Sequence, residues 1–366
     1  MAKGRASGAR ASNRVTGAQV AREANVDPAI VSKLLQENPS VRVSRETRKR
    51  VMDVVDRLGY RPNYAAQRLR SSKIGAIGLV IPDFRNPTFA EIVHGAEQAS
   101  HDRGISLFVS SSAESISTMD LVVDLVASDR VDALLIAGGS SRDTARINDY
   151  LVNRGVSFLF LNRQTKGTRR SLFLDDELAI GLAVDHLVEL GHEKFAAITG
   201  LSSMETGRRR RRGLITALER AGIACPPECI VESDYSFAAG QAAFAQIRKF
   251  ESAPTALVVS EFTMGTGALL AARTAGVAVP GDLSIAVFNN LELASYLTPT
   301  VTTVGVQLAA LGAEGVELLV DRPPGAEINR TVSKPAELFI RDSTGPPPAE
   351  PGRHPARRTE DDRGAD

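Results

Sequence analysis

The chain has 366 residues, which suggests two or three domains, and 43% of them are hydrophobic, enough for a sizeable core. The formal net charge is only +1, but the charge is unevenly distributed. Residues 1–72 hold fifteen Lys and Arg against six Asp and Glu, whereas the remaining residues hold 29 against 37. This basic beginning suggests contact with a polyanion, although a basic disordered tail would give the same imbalance.

Cysteine usage and hydrophobicity exclude several classes of protein. The two cysteines, Cys225 and Cys229, lie four residues apart without a nearby histidine pattern, so a zinc site is not expected. So few thiols argue against a disulfide framework and fit a reducing cytoplasm. No apolar segment follows Met1 and no run of 18 apolar residues occurs, which predicts neither a signal peptide nor a membrane span. We therefore expect a cytoplasmic protein that binds no membrane, metal or cofactor.

The two ends of the chain have the composition of disordered segments. Residues 1–13 are Ala, Gly, Ser, Arg and Lys without an apolar period, which predicts a disordered basic arm. Residues 344–366 are rich in proline and charge, which predicts a disordered tail.

Residues 14–60 predict three short helices. An acidic N-cap followed by proline, Asp27-Pro28, starts the second helix. Ser44 caps the third helix, and Gly59 ends it.

The first two helices, over 17–24 and 28–36, are separated by a turn too short for antiparallel packing. They must therefore cross steeply, as in a helix-turn-helix unit, whose second helix lies in the major groove of DNA. Ala29 can offer only apolar contact, for example to a thymine methyl, whereas Lys33 can reach guanine acceptors or a phosphate. A structural three-helix bundle with a solvated basic face is the alternative. The exposed candidates for DNA contact are Pro28, Ala29, Ser32 and Lys33.

The next segment, 61–73, is short, basic and weakly amphipathic. Asn63 could cap a helix of about two turns, and a helix this short is marginal when alone in water. The segment is therefore expected to be a linker.

Residues 74–343 alternate apolar strands with helical stretches. Strands that are apolar throughout and separated by helices indicate parallel sheets covered on both faces. The segment is too long for one doubly wound unit, so the predicted fold class is α/β with two lobes behind a helix-turn-helix domain. The strands are predicted over 74–81, 105–111, 131–137, 156–162, 194–200, 256–260 and 283–289, and the first two helices of this segment over 88–103 and 115–128.

A series of motifs runs through residues 14–343: VAREA and VS in the head, GYRPN before the linker, then IGLVIPDFRNPTF, HLVELGH, YLTPTVTTV and LFIRDST. In this order they resemble the LacI/GalR family of bacterial transcriptional regulators. The resemblance implies a periplasmic-binding-protein-like effector domain and a sequence-specific regulator, expected to be a repressor, whose operator affinity responds to a small molecule. It also implies a homodimer. A dimer is favoured over a tetramer because no leucine-heptad tail follows residue 342.

The resemblance assigns a role to the linker as a hinge. In the family this segment folds into a helix on DNA, and two such helices enter the minor groove of the operator. By motif match Leu69 would wedge into the central base step, with Ala66 on the same face and Asn63 at the start. Thr16, at the start of the head, is also counted among the DNA contacts. The alternative is an ordinary linker whose Leu69 packs on the body.

The resemblance also implies an effector cleft between the lobes. Ligands of such sheets lie at the carboxyl ends of strands. The matching positions are Asp83, Phe89, Asn162, Arg163, Arg208 and Tyr235, of which Arg208 is expected to enter the cleft and hold an anionic or polyhydroxylated ligand.

Three positions depart from the family pattern. The chain has Glu261-Phe262 where Asn-Asp is usual, Asn289 where an effector-binding Asp is usual, and DDELA, starting at Asp175, where DNxxG is usual. Phe262 could stack on a ligand and Glu261 could accept a hydrogen bond from it. These changes disfavour an ordinary sugar, and a small polar metabolite such as a sugar acid or sugar phosphate is expected instead. A degenerate cleft that binds nothing important is the alternative.

Two other classes of function compete with a regulator. A solute-binding protein is disfavoured by the head and by the missing signal peptide, and an enzyme is disfavoured because no GxSxG, Walker lysine motif or metal-ligand spacing occurs. We therefore do not expect catalysis.

Overall fold

A computed structural model describes residues 15–35, 43–60, 74–112, 117–163 and 168–348. The chain divides into two compact units, with the boundary between Lys73 and Ile74. The predicted basic arm, the linker with Asn63, Ala66 and Leu69, and most of the predicted tail lie outside the described residues.

The first unit holds three helices in its described part: α1 (Gly17–Glu23), α2 (Pro28–Leu35) and α3 (Arg45–Leu58). The side chains of Thr16 and Ser44 accept hydrogen bonds from backbone N–H groups in the first turns of α1 and α3. Gly59 ends α3 with a φ of +59°. The core of this unit consists of Val20, Ala21, Ala24, Val31, Leu34, Val51, Val54 and Val55.

The second unit has two lobes, each built on one sheet. In the first lobe the strands lie in the order β11, β5, β4, β3, β1, β2, and all neighbours pair in parallel. Their bounds are β1 Ala76–Ile81, β2 Ser106–Ser111, β3 Ala133–Ile136, β4 Ser157–Leu161, β5 Arg170–Phe173 and β11 Ile328–Thr331. The helices of this lobe are α4 Thr88–Asp102, α5 Thr118–Ala127, α6 Ser141–Arg154 and α11 Leu308–Asp321.

The second lobe repeats this plan, with the order β12, β10, β9, β8, β6, β7. Only β12 runs antiparallel to its neighbour within the described sheet. The strands are β6 Phe195–Gly200, β7 Ile230–Ser233, β8 Ala256–Val259, β9 Ser284–Phe288, β10 Thr302–Gly305 and β12 Glu337–Phe339. The α-helices are α7 Asp176–Glu189, α8 Glu205–Arg220, α9 Phe237–Ile247 and α10 Phe262–Thr274, and short 3-10 helices lie at Pro227–Cys229 and Glu292–Ser295.

The two lobes are not separate segments of sequence. The chain leaves the first lobe after β5, returns to it for α11 and β11, and enters the second lobe again at β12. The predicted α/β class with two doubly wound lobes is confirmed. The predicted apolar runs correspond to strands β1 to β4, β6, β8 and β9. The short strands β5, β7, β10, β11 and β12 were not predicted.

No helix in the described ranges combines the length and the apolar character needed to cross a membrane. The same residues contain no cluster of three or more His, Cys, Asp or Glu side chains suited to a metal ion.

Candidate functional site

A cavity of about 600 Å³ lies between the two lobes of the second unit. Its walls are loops that follow strands at their carboxyl ends, where ligands of doubly wound sheets bind. The first lobe contributes Asp83 and its neighbours after β1 and Arg163 after β4. The second lobe contributes Tyr235 after β7, Glu261 after β8 and Asn289 after β9. The cavity has the size of a small-molecule site.

Arg163 is a buried cation in the cavity wall, with only 5% of its surface exposed. Its Nη2 donates to the Ala137 carbonyl oxygen at 3.3 Å. Its Nε and Nη1 have no hydrogen-bond partner among the residues that the structure describes. Burial lowers the pKa of the Arg163 guanidinium, because the charged form loses its hydration. The side chain is therefore a donor group without a complete set of acceptors.

Arg210 also lines the cavity and is held by three contacts. Its Nε donates to Asp176 Oδ1 at 3.0 Å, and its Nη1 donates to the Ser260 carbonyl oxygen at 2.6 Å. Its guanidinium lies 3.9 Å from the ring centre of Phe288, a cation–π distance. The preceding residue, Arg209, also donates to Asp176. Asp176 thus serves two buried arginines.

Glu261 joins the two lobes. It is the N-cap of α10, and its Oε2 accepts from the backbone N–H groups of Thr263 at 2.7 Å and Met264 at 3.3 Å. Its Oε1 accepts from Thr88 Oγ1 at 2.9 Å and from Asn86 Nδ2 at 3.3 Å, both in the first lobe. The carboxylate is only 3% exposed, so these bonds are shielded from water.

Asn289 extends this connection. It is fully buried, has a φ of +77°, and donates from Nδ2 to Thr88 Oγ1 at 3.2 Å. Its Oδ1 has no hydrogen-bond partner within the described part of the chain. The cavity wall therefore contains an orphan acceptor as well as the orphan donors of Arg163.

Three other predicted effector residues, Asp83, Phe89 and Tyr235, line the same cavity. Arg85 lies 2.8 Å from Asp83, and its hydrogen bonds lower the pKa of that carboxyl. The Tyr235 hydroxyl lies 3.3 Å from Thr206 Oγ1.

Two predicted cleft residues do not lie there. Arg208 is exposed and donates to the Ser202 carbonyl oxygen at 2.6 Å. It sits two residues before Arg210 on α8, about 200° around the helix, and therefore on another face. Phe262 is 1% exposed and belongs to the hydrophobic core, so it does not provide a stacking surface in the cavity.

Sequence reasoning missed Arg210, and glycine spacing could have identified it. A Cβ on Gly207 would lie 2.4 Å from the Leu201 carbonyl oxygen, and a Cβ on Gly213 would lie 2.5 Å from the Glu177 carbonyl oxygen. These two glycines mark the closely packed face of α8. Arg210 is three residues from each of them, and residues three apart share a helix face. Asn86 and Thr88 were missed too, because their partner Glu261 is remote in sequence.

In the first unit, the predicted DNA-contacting residues lie mainly on the surface. Pro28, Ala29 and Lys33 on α2 are exposed, and Ser32 is half-buried. Thr16 is exposed and caps α1. These placements leave the start and one face of α2 accessible.

A helix-turn-helix unit and a two-lobed domain with a ligand-sized cavity, joined in one chain, define the class of DNA-binding regulators that respond to small molecules. Residues 18–63 match the model of bacterial regulatory proteins of the lacI family, and residues 184–344 match the periplasmic binding protein-like domain. The chain is 30% identical over 328 residues to the HTH-type transcriptional repressor CytR of Escherichia coli K12, covering 89% of this chain and 95% of CytR. The chain belongs to the LacI family of bacterial transcriptional regulators.

Other relatives agree with this assignment. The catabolite control protein A of Priestia megaterium is 29% identical over 332 residues, which cover 90% of this chain and 99% of that protein. The structure of the lac repressor dimer bound to operator and the anti-inducer ONPF matches with 27% identity and a TM-score of 0.80, over 91% of this chain and 100% of that one. A LacI family regulator from Mycobacterium smegmatis matches with 30% identity and a TM-score of 0.69, over 74% and 99%. The lac repressor and the Mycobacterium smegmatis protein are a repressor and a transcriptional regulator by name, as CytR is.

Proposed function

We propose that this regulator acts as a homodimer on a palindromic operator and that a small polar metabolite in the interlobe cavity changes its operator affinity. The observation that carries the proposal is the cavity of about 600 Å³, whose wall contains polar atoms of Arg163 and Asn289 that have no hydrogen-bond partner among the described residues. Buried polar atoms are rarely left without partners, and a ligand would satisfy them. The homodimer is supported by the lac repressor, which was solved as a dimer on its operator.

On the DNA side, α2 enters the major groove and Pro28, Ala29, Ser32 and Lys33 meet base edges or the backbone. The support is their position at the start and on the accessible face of α2. Thr16 contacts the DNA backbone beside these four residues. A genomic footprint of the full-length protein would identify the operator, and one half-site would then be scrambled. A tenfold or larger loss of operator affinity is expected. An affinity that does not change when one half-site is scrambled would contradict binding as a dimer.

Asn63, Ala66 and Leu69 lie outside the described residues, so their proposed roles in the hinge rest on the motif match alone. A side chain that inserts between two base pairs unstacks them at a cost of a few kcal/mol. The bent DNA then makes additional contacts with the protein, and these contacts offset that cost. Leu69→Ala should therefore reduce operator bending, measured by fluorescence energy transfer between the operator ends. Leu270→Ala, on the exposed surface of α10, is the matched control and should leave the bend unchanged.

On the effector side, we propose that Asp83, Phe89, Arg163, Tyr235, Glu261 and Asn289 contact the ligand, with Arg210 in the role first assigned to Arg208. The test compares operator affinity with and without a panel of small polar metabolites. Phe89→Ala and Tyr235→Ala should each abolish the response, because the two aromatic side chains line the cavity. Phe84→Ala, at an exposed phenylalanine outside the cavity lining, should respond like the wild type. Equal responses in all three variants would place the effector elsewhere.

A further inference from the structure

We propose that the effector is a small organic oxyanion, which binds Arg163 through its anionic group and donates a hydrogen bond from a second group to Asn289 Oδ1. This inference rests on the proposed function, because it names the chemical class of the ligand for the same cavity. A hydroxy acid, an amino acid and a sugar phosphate each belong to this class. A neutral sugar does not.

The guanidinium of Arg163 is the group that would bind the anion. The side chain is 95% buried, and one of its nitrogens donates to the protein, while Nε and Nη1 have no acceptor in the described residues. A buried charge without a partner is costly, and an oxyanion with hydrogen-bond geometry compensates that cost well. A neutral hydroxyl would satisfy a donor but would leave the charge uncompensated.

The carboxylates buried near Arg163 are engaged by other arginines. The charged groups that act on it include Glu205, Arg209 and Arg210. Asp176, buried beside them, accepts hydrogen bonds from Arg209 and Arg210, and Glu205 lies 3.5 Å from Arg209 Nε. In the described part of the chain these two carboxylates are therefore engaged by Arg209 and Arg210, and neither forms an ion pair with Arg163. An anionic ligand group would supply the counter-charge for Arg163.

Asn289 indicates the chemistry of the second group of the ligand. Asn289 Oδ1 is an acceptor with no donor in the described residues, so its partner must carry an O–H or N–H. Nearby, Glu261 already accepts from Thr88 and Thr263, and its negative charge repels an anion. The anionic group is therefore directed to Arg163 and the donor group to Asn289.

The test uses the full-length chain and defined probes. Binding is measured by isothermal titration calorimetry for inorganic phosphate and for two matched pairs, gluconate with glucose and ribose 5-phosphate with ribose. Phosphate should bind saturably, and each anion should bind at least tenfold more tightly than its neutral counterpart. Arg163→Gln should weaken phosphate binding by about 10- to 100-fold, since hydrogen bonds to charged groups are strong. Arg163→Lys should lose less because it keeps the charge, and Arg208→Gln is the matched control that should bind like the wild type.

Two results would overturn the inference. One is equal phosphate affinity in wild type and Arg163→Gln, and the other is equal or tighter binding of the neutral member in both pairs. If Arg163→Gln does not fold, the wild-type comparison of anions with their neutral counterparts still tests the inference.

Operator affinity is measured with the same probes. A neutral metabolite that alters operator affinity while the anions do not would overturn this inference and leave the proposed function intact. Phosphate that binds through Arg163 while no small molecule alters operator affinity would contradict the proposed function instead.

Discussion

Thr88 Oγ1 donates a hydrogen bond of 2.9 Å to Glu261 Oε1, and this bond joins the two lobes across the cavity. Both residues begin helices, since Thr88 is the first residue of α4 and Glu261 is the N-cap of α10. The same hydroxyl accepts from Asn289 Nδ2 at 3.2 Å. Thr88 is therefore the central member of a chain of three buried side chains, and it gives the lobes a direct connection that needs no ligand.

Removing that hydroxyl should weaken the effector domain. Thr88→Val keeps the shape but leaves Glu261 and Asn289 each short of a buried partner, which costs about 1–3 kcal/mol for one unsatisfied buried group. Urea unfolding of the full-length protein, followed by circular dichroism, measures the loss. Thr274→Val is the control, because Thr274 is exposed on α10, and it should change stability by less than about 0.5 kcal/mol. Equal effects of the two substitutions would show that the interlobe bond contributes nothing measurable.

A second prediction concerns the carboxylate that serves two arginines. Asp176→Asn removes the negative charge that Arg209 and Arg210 share at a site only 1% exposed. Breaking a buried ion pair by neutralising one partner costs about 3–5 kcal/mol, since it leaves uncompensated buried charge. The measurement is again the free energy of unfolding.

The neighbouring residue offers a matched control for that substitution. Asp175 is exposed and caps α7 by accepting from the Leu178 N–H at 3.1 Å. Asn is as good an N-cap as Asp, so Asp175→Asn should be nearly neutral. If both variants lose the same stability, the charge of Asp176 is not what holds the two arginines.

The cavity residues also show which parts of the fold and the site the sequence alone can predict. The apolar runs and helix caps predicted the head and the two-lobed sheets, because buried strands and capped helices leave a local pattern. Asp83, Arg163, Tyr235 and Asn289 were instead proposed by motif match to the LacI/GalR family, and the strand that precedes Tyr235 was not predicted at all.

The predictions that failed were those that depend on the rotation of a helix or on a contact between residues far apart in sequence. Within the run of five arginines, only the rotation of α8 decides that Arg210 faces the cavity and that Arg208 faces outward, and charge alone does not reveal it. The bond between Thr88 and Glu261 joins residues 173 apart in sequence. No local pattern predicts which threonine meets that carboxylate.

A third prediction concerns DNA reading. If Lys33 contacts a base, Lys33→Ala should weaken operator binding by about 1–3 kcal/mol and leave random DNA less affected. Lys49→Ala, which removes the same charge from an exposed position on α3, should reduce operator and random binding alike. Filter binding at two salt concentrations separates the cases, because loss of a phosphate contact also lowers the salt dependence by about one unit of slope. Equal losses on both DNAs for Lys33→Ala would identify it as a phosphate contact.

The last prediction follows from a buried histidine that holds the end of the effector domain. His192 is 1% exposed, its Nδ1 lies 2.9 Å from Thr255 Oγ1, and its Nε2 lies 2.9 Å from the Gly345 carbonyl oxygen and 3.1 Å from Ser284 Oγ. Burial lowers the pKa of His192, against the opposing hydrogen bond to Gly345. Burial also lowers the pKa of His186, which contacts Thr344 in the same terminal segment.

The sign of the pH effect follows from linkage. Between the lowered pKa in the folded state and the ordinary value of 6.5, the unfolded chain binds more protons, so stability falls as the pH falls through this window. The free energy of unfolding of the wild type should therefore decrease from pH 7.5 to pH 5.5, measured by urea titration at several pH values. His192→Gln should be less stable at pH 7.5, because it loses buried hydrogen bonds, but its stability should fall less steeply with acid. His94→Gln, at an exposed histidine on α4, should keep the wild-type slope. A His192→Gln slope equal to that of the wild type would show that this histidine is not a source of the acid sensitivity.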